Sequence, residues 1–180
     1  MGLPKWKLSF SDEQTFLERL TEVYSLPMIR NLVLVINQQQ KNAVEALALP
    51  SNTLLVENEN PALGRNHSIK LALDRAKKHD FAFVQNIDNP FTTAHLIETM
   101  WTCRAIDGAT LPVYGQKEGH PVLLGPMLCT ELRQKPPASY HFREWLANQN
   151  KTLIQTHNSS ILANINTQEE YSNFQNFFRK

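Results

Sequence analysis

An aspartate stands at the end of a short apolar stretch in the middle of the chain. The stretch 81–87 contains two phenylalanines, a valine and an isoleucine, and it is followed by Asp88 and then by Pro90. Burying a carboxylate at a strand end is unfavourable unless it has a partner, and open α/β sheets bind their ligands at the carboxyl ends of strands. We therefore expect Asp88 either to bind a hard cation such as Mg²⁺, which prefers carboxylate oxygens, or to form a local Asx turn before the next helix.

Two asparagines near the end of the chain could supply further oxygen ligands. Asn164 and Asn166 are two residues apart in the segment 161–166, which we predict to be a short strand, so both side chains would face the same side. Thr167 and Glu170 follow with the spacing of a helix capping box. The alternative is that the asparagines belong only to a polar turn that leads into the last helix.

A histidine lies between two residues that restrict or relax the backbone. Gly119 and Pro121 flank His120. Glycine permits backbone angles that other residues avoid, and proline fixes its own φ, so we expect a stiff turn to present the imidazole. His120 could contact a substrate, or it could have a purely structural role.

Anion-binding residue types occur at two further places. Lys5, in MGLPK at the start of the chain, carries a flexible ammonium of the kind that binds phosphate as a point charge; the alternative is an ordinary surface lysine. Gly64 and Asn66 come just before a predicted helix, whose first-turn amides could bind an anion or the edge of a base.

The elements that must position these residues alternate between strand and helix. The predicted strands are 31–38, 52–58, 81–88, 109–115, 121–124 and 152–157, and the predicted helices are 11–24, 42–49, 66–80, 92–106, 139–149 and 168–178. This alternation predicts an α/β fold with a mostly parallel sheet and helices on both faces, formed by one domain over residues 1–180. The first helix, capped by Ser11 or Asp12, is preceded by no clear strand, although doubly wound sheets usually begin with a central one.

Composition and charge exclude several classes of function. The chain has 180 residues, of which 42% are apolar, and 18 Lys and Arg against 17 Asp and Glu give a net charge of +1. This near-balance argues against binding nucleic acid or a membrane through a basic surface. Cys103 and Cys129 form no CxxC motif, so we predict reduced, buried or nearly buried thiols in a cytoplasmic protein. The sequence also has no apolar run near the ~18 residues of a membrane span and no signal peptide at its start.

The order of the motifs along nearly the whole chain resembles the MobA-like nucleotidyltransferases, which transfer GMP or CMP from a nucleoside triphosphate to the phosphate of molybdopterin. The motifs are MGLPK, the glycine and serine of GRNHS, IDNPF, EGHPVLL and NINTQEEY. The resemblance implies a three-layer, Rossmann-like GT-A fold. That family opens with a strand and the loop LAGGxSxRMGxPK, of which Met1, Gly2, Pro4 and Lys5 match only the end. The first strand and its phosphate-binding loop are therefore expected to be missing from this sequence.

The resemblance also implies roles for individual residues. Lys5 would neutralise phosphate oxygens, Asp88 would bind Mg²⁺, and Asn164 or Asn166 would complete the ion's shell or orient the acceptor. No covalent protein nucleophile is needed, since the acceptor phosphate attacks in line and pyrophosphate leaves. Together with the local patterns described above, the resemblance gives four sets of candidate residues. They are Lys5, Asp88 and Asn166 for catalysis; Lys5, Gly64, Asn66 and Ser68 for nucleotide binding; His120 and Asn164 for substrate binding; and Asp88, Asn164 and Asn166 for the metal.

Some features of the chain depart from the family pattern. Asn164 replaces the carboxylate of the DIDTPED form, and GHPVLL points to CTP whereas NINT points to GTP. Without the glycine-rich loop, we predict weak nucleotide binding, and the alternative function is a non-catalytic nucleotide-binding or interaction protein of the same fold. A GT-A sugar transferase is less favoured, because it would need Asp-x-Asp where this chain has Asn86-Ile87-Asp88.

Overall fold

The computed structural model describes residues 2–77 and 80–178. Its seven strands are β1 (Leu32–Ile36), β2 (Thr53–Glu57), β3 (Ala82–Val84), β4 (Ala109–Tyr114), β5 (Lys117–Glu118), β6 (Val122–Leu124) and β7 (Lys151–Gln155). Its α-helices are α1 (Phe16–Val23), α2 (Lys41–Glu45), α3 (Gly64–Leu73), α4 (Ala94–Thr102), α5 (Pro126–Gln134), α6 (Phe142–Ala147) and α7 (Gln168–Phe178). Short 3₁₀ turns cover Lys5–Lys7, Gln38–Gln40, Pro61–Leu63, Pro137–Ser139 and Ser159–Leu162. The predicted α/β alternation is confirmed.

The strands form two sheets. β1 and β2 pair in parallel, with Leu32 opposite Thr53 and Ile36 opposite Glu57. The second sheet has the order β3-β6-β4-β5, with β7 parallel to β4 and the other pairings antiparallel. The sheet is more mixed than the strand–helix alternation predicts, because the chain returns from β4 through β5 to β6 with no helix between them. Such a short connection joins antiparallel strands, whereas a parallel crossover needs a dozen or more residues.

Helices cover both faces of the strands, which gives three layers. Leu123 of β6 packs with Met100 of α4, whereas its neighbours Val122 and Leu124 pack with α5 on the other face. Because successive side chains of a strand point to opposite faces, this alternation places α4 and α5 on opposite sides of the sheet. Leu20 of α1 packs with α4, and α3 lies with α5 and α6.

The first helix begins later than predicted. Segment 9–15 folds into a turn in which the Phe10 amide donates to the Gln14 carbonyl, so Ser11 and Asp12 do not cap the helix. Thr15 is the cap instead: the Glu18 amide donates to its hydroxyl at 3.3 Å, and the Thr15 amide donates to the Glu18 carboxylate at 2.8 Å. This reciprocal pair satisfies backbone donors that the first turn leaves free, and it lowers the pKa of Glu18.

Other predictions needed correction. Residues 161–166 are not a strand, because Ser159–Leu162 forms a 3₁₀ turn and an irregular segment follows it. Gly119 has no positive φ, which the structure gives only to Gly64 and Gly115 among its described glycines; a Cβ at Gly119 would instead lie 2.6 Å from the Ile161 side chain. Cys129 is buried, but Cys103 is exposed, and both are free thiols. Burial raises the pKa of the Cys129 thiol to about 11.

A gap separates the two sheets. β1 and β3 are each paired along one edge only within the described chain, and a cavity of about 850 Å³ lies between them. The centre of β1 is only half-buried, because Val33, Leu34 and Val35 lie next to this cavity. In the described part of the chain, no helix has the length and apolarity needed to cross a membrane.

Candidate active site

Three residues from distant parts of the chain meet at the ammonium group of Lys5. Its Nζ donates to Asp88 Oδ2 at 2.9 Å and to Asn166 Oδ1 at 2.6 Å. The Lys5 and Asp88 side chains are 32% and 20% exposed. The group is therefore half-buried at the mouth of the cavity, which Lys5 and Asp88 both line.

Local structure holds each member of this group in place. Lys5 follows Pro4 and opens the 3₁₀ turn whose Trp6 is buried. Asp88 lies four residues beyond the end of β3, in a turn where the Asn89 amide donates to the Asn86 carbonyl at 3.2 Å. The sequence predicts a strand that ends at Asp88, whereas β3 ends at Val84 and Asp88 lies in the turn that follows it.

The segment before α7 is fastened directly to Asp88. The Ile165 amide donates to the Asp88 carbonyl at 2.8 Å, so the residues on either side of Ile165, which are Asn164 and Asn166, lie beside Asp88. Asn89 strengthens this attachment, because its fully buried Nδ2 donates to the Ile161 carbonyl at 3.1 Å and to the Ala163 carbonyl at 2.6 Å. Asn89 is not among the residues predicted from the sequence, although it directly follows Asp88 in IDNP.

The capping box predicted at the start of α7 is present. Glu170 Oε2 accepts from the amides of Asn166 at 2.7 Å and Thr167 at 2.8 Å, while the Glu170 amide donates to the Thr167 hydroxyl at 3.1 Å. These backbone hydrogen bonds lower the pKa of Glu170. The cap fixes the backbone of Asn166 and thus helps to direct its side chain toward Lys5.

Two buried oxygens of the site lack a hydrogen-bond donor. Asp88 Oδ1 and Asn164 Oδ1 are inaccessible, and neither has a partner. Such atoms are costly to bury and suit a hard cation, which binds carboxylate and amide oxygens. The described residues contain no group of three or more His, Cys, Asp and Glu that could hold a metal. A Mg²⁺ ion here would therefore take one carboxylate and one or two amide oxygens, with water and phosphate as its other ligands, and the residues present fit that requirement.

His120 lies beside Asn86, close enough to Asp88 for their charges to interact. Its Nε2 is 3.3 Å from Asn86 Nδ2, its amide donates to the Ile161 carbonyl, and its Nδ1 is buried without a partner. If the Asn86 amide donates to Nε2, the proton of the neutral ring lies on Nδ1. Burial, followed by the charge of Arg65, lowers the pKa of His120, although Asp88 opposes this. His120 is thus neutral at pH 7.

Arg65 was not among the sequence candidates, yet its charge acts on both Asp88 and His120. It is the second residue of α3, and its guanidinium carbon lies 5.1 Å from the centre of the Phe142 ring. Desolvation lowers the pKa of Arg65, but a guanidinium remains charged at any physiological pH. The sequence did contain a signal for Arg65, because a basic residue there directly follows a glycine and comes just before a predicted helix.

The predicted nucleotide residues on α3 differ in their surroundings. Gly64 opens the helix with a φ of 76°, which favours glycine. Ser68 lines the cavity and accepts a hydrogen bond from Asn58 Nδ2 at 3.1 Å. Asn66 instead uses its Nδ2 to hold the carbonyls of Pro137 and Tyr140, so its donor group already has a structural task.

Comparison with known proteins identifies the family. The model of the MobA-like NTP transferase domain matches residues 1–157 of this chain. The chain belongs to the MobA-like NTP transferase family. It is similar to the molybdenum cofactor cytidylyltransferase of Escherichia coli strain K12, with 25% identity over 167 residues, which are 93% of this chain and 85% of that protein.

Solved structures agree on the fold of this MobA-like chain. Rv0371c from Mycobacterium tuberculosis H37Rv has a TM-score of 0.79 at 17% identity, covering 98% of this chain and 91% of that one. A complex of Rv0371c with manganese has a TM-score of 0.75 at 16% identity, covering 96% and 92%. Molybdopterin-guanine dinucleotide biosynthesis protein A from Archaeoglobus fulgidus has a TM-score of 0.68 at 16% identity, covering 98% and 91%. The fold is thus the Rossmann-like nucleotidyltransferase fold.

As a MobA-like NTP transferase, the chain is a nucleotidyltransferase, and the charge of its candidate site suits an anionic substrate. Lys5 and Arg65 contribute two positive charges, Asp88 contributes one negative charge, and His120 is neutral. The net positive charge at the mouth of a cavity attracts phosphate groups. Arg65 packs against the Phe142 ring, whereas Lys5 carries its charge at the end of a flexible four-carbon chain.

Proposed function

We propose that this chain transfers a nucleoside monophosphate from CTP or GTP to the phosphate of a small acceptor such as molybdopterin, with release of pyrophosphate. The observation that carries the proposal is the meeting of Asp88 and Asn166 at the Lys5 ammonium. The Escherichia coli relative, a molybdenum cofactor cytidylyltransferase, supports this acceptor and CTP. The Archaeoglobus fulgidus structure, whose name refers to molybdopterin-guanine dinucleotide, supports the GTP alternative at the level of the fold.

Asp88, Asn164 and Asn166 would hold Mg²⁺, which neutralises phosphate charge and stabilises the charge that develops on the transferred group. The donor-free oxygens of Asp88 and Asn164 support this assignment. The manganese complex of Rv0371c supports a divalent ion in proteins of this fold. Asn164 in place of a carboxylate makes the site less negative, so we expect metal affinity to depend strongly on the bound triphosphate.

Lys5 would move from Asp88 to the triphosphate. Its ammonium already lies between Asp88 Oδ2 and Asn166 Oδ1, where it holds the two oxygens together as a cation would. A rotation of its flexible side chain would bring the same charge to phosphate oxygens and free both ligand oxygens. Lys5 therefore has two alternative partners, which are the proposed metal ligands Asp88 and Asn166 and the substrate.

The transfer itself needs positioning rather than a protein nucleophile. A phosphate oxygen of the acceptor would attack the α-phosphorus in line, the bond to the bridging oxygen of the β-phosphate would break, and that oxygen would leave with pyrophosphate. Gly64, Asn66 and Ser68 would contact the nucleotide at the start of α3. His120, neutral at pH 7, would contact the acceptor without adding charge.

Turnover with each of the four nucleoside triphosphates tests the proposal. Pyrophosphate release should require a divalent ion and an acceptor phosphate and should be fastest with CTP or GTP. Asp88→Asn should lower turnover by 10²-fold or more, the magnitude typical of removing one charge-stabilising group. Asp74→Asn is the matched control, because Asp74 is an exposed residue directly after α3 and its partner is Lys70 at 3.7 Å.

The result also separates the two functional classes. Nucleotide binding without turnover, in the presence of acceptor and metal, would favour the non-catalytic binding protein. Equal turnover by the Asp88→Asn and Asp74→Asn variants would show that the Lys5 cluster is not the active site.

A further inference from the structure

Asn58 is a buried polar residue that has no role in the transfer proposed above. It directly follows β2, and only 5% of the residue is exposed. Its backbone amide donates to the Ile36 carbonyl at 2.7 Å, which extends the contact between β2 and β1 by one residue and fixes the backbone of Asn58. Burying an amide side chain is unfavourable unless its polar atoms form hydrogen bonds, so the partners of this side chain indicate what it does.

Two contacts determine which way the side-chain amide of Asn58 is oriented. The backbone amide of Asn60 donates to Asn58 Oδ1 at 2.9 Å, and Asn58 Nδ2 donates to Ser68 Oγ at 3.1 Å. The opposite orientation would place Nδ2 against the Asn60 N–H, where two donors would face each other. Asn58 therefore presents a hydrogen-bond donor, and not an acceptor, to the hydroxyl of Ser68.

This contact leaves the hydroxyl proton of Ser68 free. A serine hydroxyl has one proton and two lone pairs, and Asn58 Nδ2 takes one of the lone pairs. A serine in a helix can donate its proton to the carbonyl four residues earlier, as Ser172 does in α7. Ser68 Oγ donates to no residue in the described part of the chain. Because Ser68 lines the same cavity as Lys5 and Asp88, its proton is available to a ligand there.

We propose that Asn58 is a positioning residue, which holds Ser68 as a hydrogen-bond donor toward an acceptor atom of the bound nucleotide. The inference rests on the proposed function, because it takes the ligand to be a nucleoside triphosphate. A nucleotide offers such acceptors as phosphate oxygens and as the carbonyl oxygens and ring nitrogens of its base. Asn58 sets the direction of the hydroxyl proton before the ligand arrives, so less orientational freedom is lost on binding.

The alternative is that Asn58 only fastens the end of β2 to α3. The substitution Asn58→Asp separates the two roles, because a carboxylate of the same shape accepts from the Asn60 amide and also accepts the proton of the Ser68 hydroxyl. The variant therefore keeps the link between β2 and α3 but reverses the direction of its hydrogen bond. Ser68 then donates to residue 58 and no longer to the nucleotide.

The test is a double-mutant cycle in which calorimetry measures the binding of CTP and of GTP in the presence of Mg²⁺. Its four proteins are the wild type, Asn58→Asp, Ser68→Ala and the variant with both substitutions. Ser68→Ala should weaken nucleotide binding about three- to tenfold, since one hydrogen bond is lost. Asn58→Asp should weaken binding more, because it also adds a negative charge. In the Ser68→Ala background only that charge remains to act, so the effect of Asn58→Asp should be smaller there by about threefold or more.

Asn52→Asp is the matched control, because Asn52 comes just before the other end of β2 and donates to the Ile29 carbonyl at 3.2 Å; it should leave nucleotide binding unchanged. Asn58→Ala, taken through the same cycle, removes the donor without adding a charge and serves if the aspartate variant does not fold. Circular dichroism establishes that each variant is folded.

Inorganic triphosphate identifies the acceptor atom. If the coupling between positions 58 and 68 persists with this probe, Ser68 donates to a phosphate oxygen. If the coupling requires CTP or GTP, the acceptor belongs to the nucleoside. Either result supports the positioning role of Asn58.

Failure of this inference is distinct from failure of the proposed function. Nucleotide binding that Asn58→Asp weakens equally with and without the Ser68 hydroxyl would overturn the positioning role and leave the transfer reaction standing. Coupled binding without turnover would refute the transfer reaction and support the positioning role. No binding of any triphosphate to the folded wild type would overturn both.

Discussion

Replacing Lys5 by methionine should have opposite effects on metal affinity and on turnover. Methionine keeps much of the side-chain length but removes the ammonium from Asp88 Oδ2 and Asn166 Oδ1. Those oxygens then no longer have a positive charge that competes with a metal ion. Because the same ammonium is proposed to bind the triphosphate, its loss removes a group that stabilises the transition state.

The structure sets the size of both effects. The Lys5 and Asp88 side chains are 32% and 20% exposed, so solvent screens their interaction, and an ion pair of this kind contributes about 0–1 kcal/mol. Removing that competition should tighten binding of Mn²⁺ to the free protein by about two- to fivefold. Turnover should fall by about 10²–10³-fold, and the melting temperature should change by no more than a few degrees.

Calorimetric titration with Mn²⁺ and a pyrophosphate-release assay on the same preparation measure the two effects. Lys41→Met is the matched control, because Lys41 forms a more exposed ion pair with Glu57 at 3.4 Å; it should leave both quantities unchanged. Weaker Mn²⁺ binding by Lys5→Met would refute the view that Lys5 occupies the metal's place. Turnover within twofold of the wild type would refute its role at the phosphates.

The remaining predictions concern the scaffold and the pH response. Asn89→Ala removes the donor to the Ile161 and Ala163 carbonyls and should destabilise the fold by about 2–3 kcal/mol, a loss of roughly 4–12 °C in melting temperature; an unchanged melting temperature would contradict the positioning role. Because the folded-state pKa of His120 lies below its ordinary value, the unfolded chain binds the extra proton first, so stability should decrease as pH falls below about 6.5. Thermal melts between pH 5 and 8 should show a smaller decrease for His120→Asn, and equal slopes for both proteins would argue against a buried neutral imidazole.

Local sequence patterns predicted which helices and strands form better than they predicted where each one begins and ends. The apolar run at 31–38 became β1 with bounds Leu32–Ile36, and the helix predicted from residue 11 begins at Phe16. Hydrophobic periodicity identifies an element, but the end of a helix depends on which side chain caps it. Thr15 and Glu18 form the capping box of α1. Ser11 and Asp12 lie in the turn before it and therefore do not cap the helix.

Which strands pair with each other depends on contacts between distant segments, and hydrophobic periodicity does not report such contacts. The alternation of helices and strands predicted one mostly parallel sheet, yet the chain forms a parallel pair and a separate mixed sheet. Among the described strands, β1 and β3 are each paired along one edge only.

Each candidate of the site could be recognised by its type and its local setting. The cap at Thr167 and Glu170 was predicted from neighbouring residues, as were the positions of Asp88 after a strand and of Gly64 near a helix start, although β3 ends four residues before Asp88 and α3 begins at Gly64 itself. Arg65 and Asn89 were missed, since their contacts are with residues far away in the chain. The roles assigned to Lys5, Asp88, Asn164 and Asn166 remain predictions.

The sequence alone determined that this is an α/β chain with polar residues at strand and helix ends, because those features follow from short-range hydrophobic periodicity and capping. Only the tertiary structure decided that the Lys5 ammonium meets Asp88, 83 residues away, and Asn166, 161 residues away. Only it showed that β1 and β3 face each other across a cavity. The physical reason is that both features require separate segments to pack against common helices, and the packing of distant segments has no signature in any local window of the sequence.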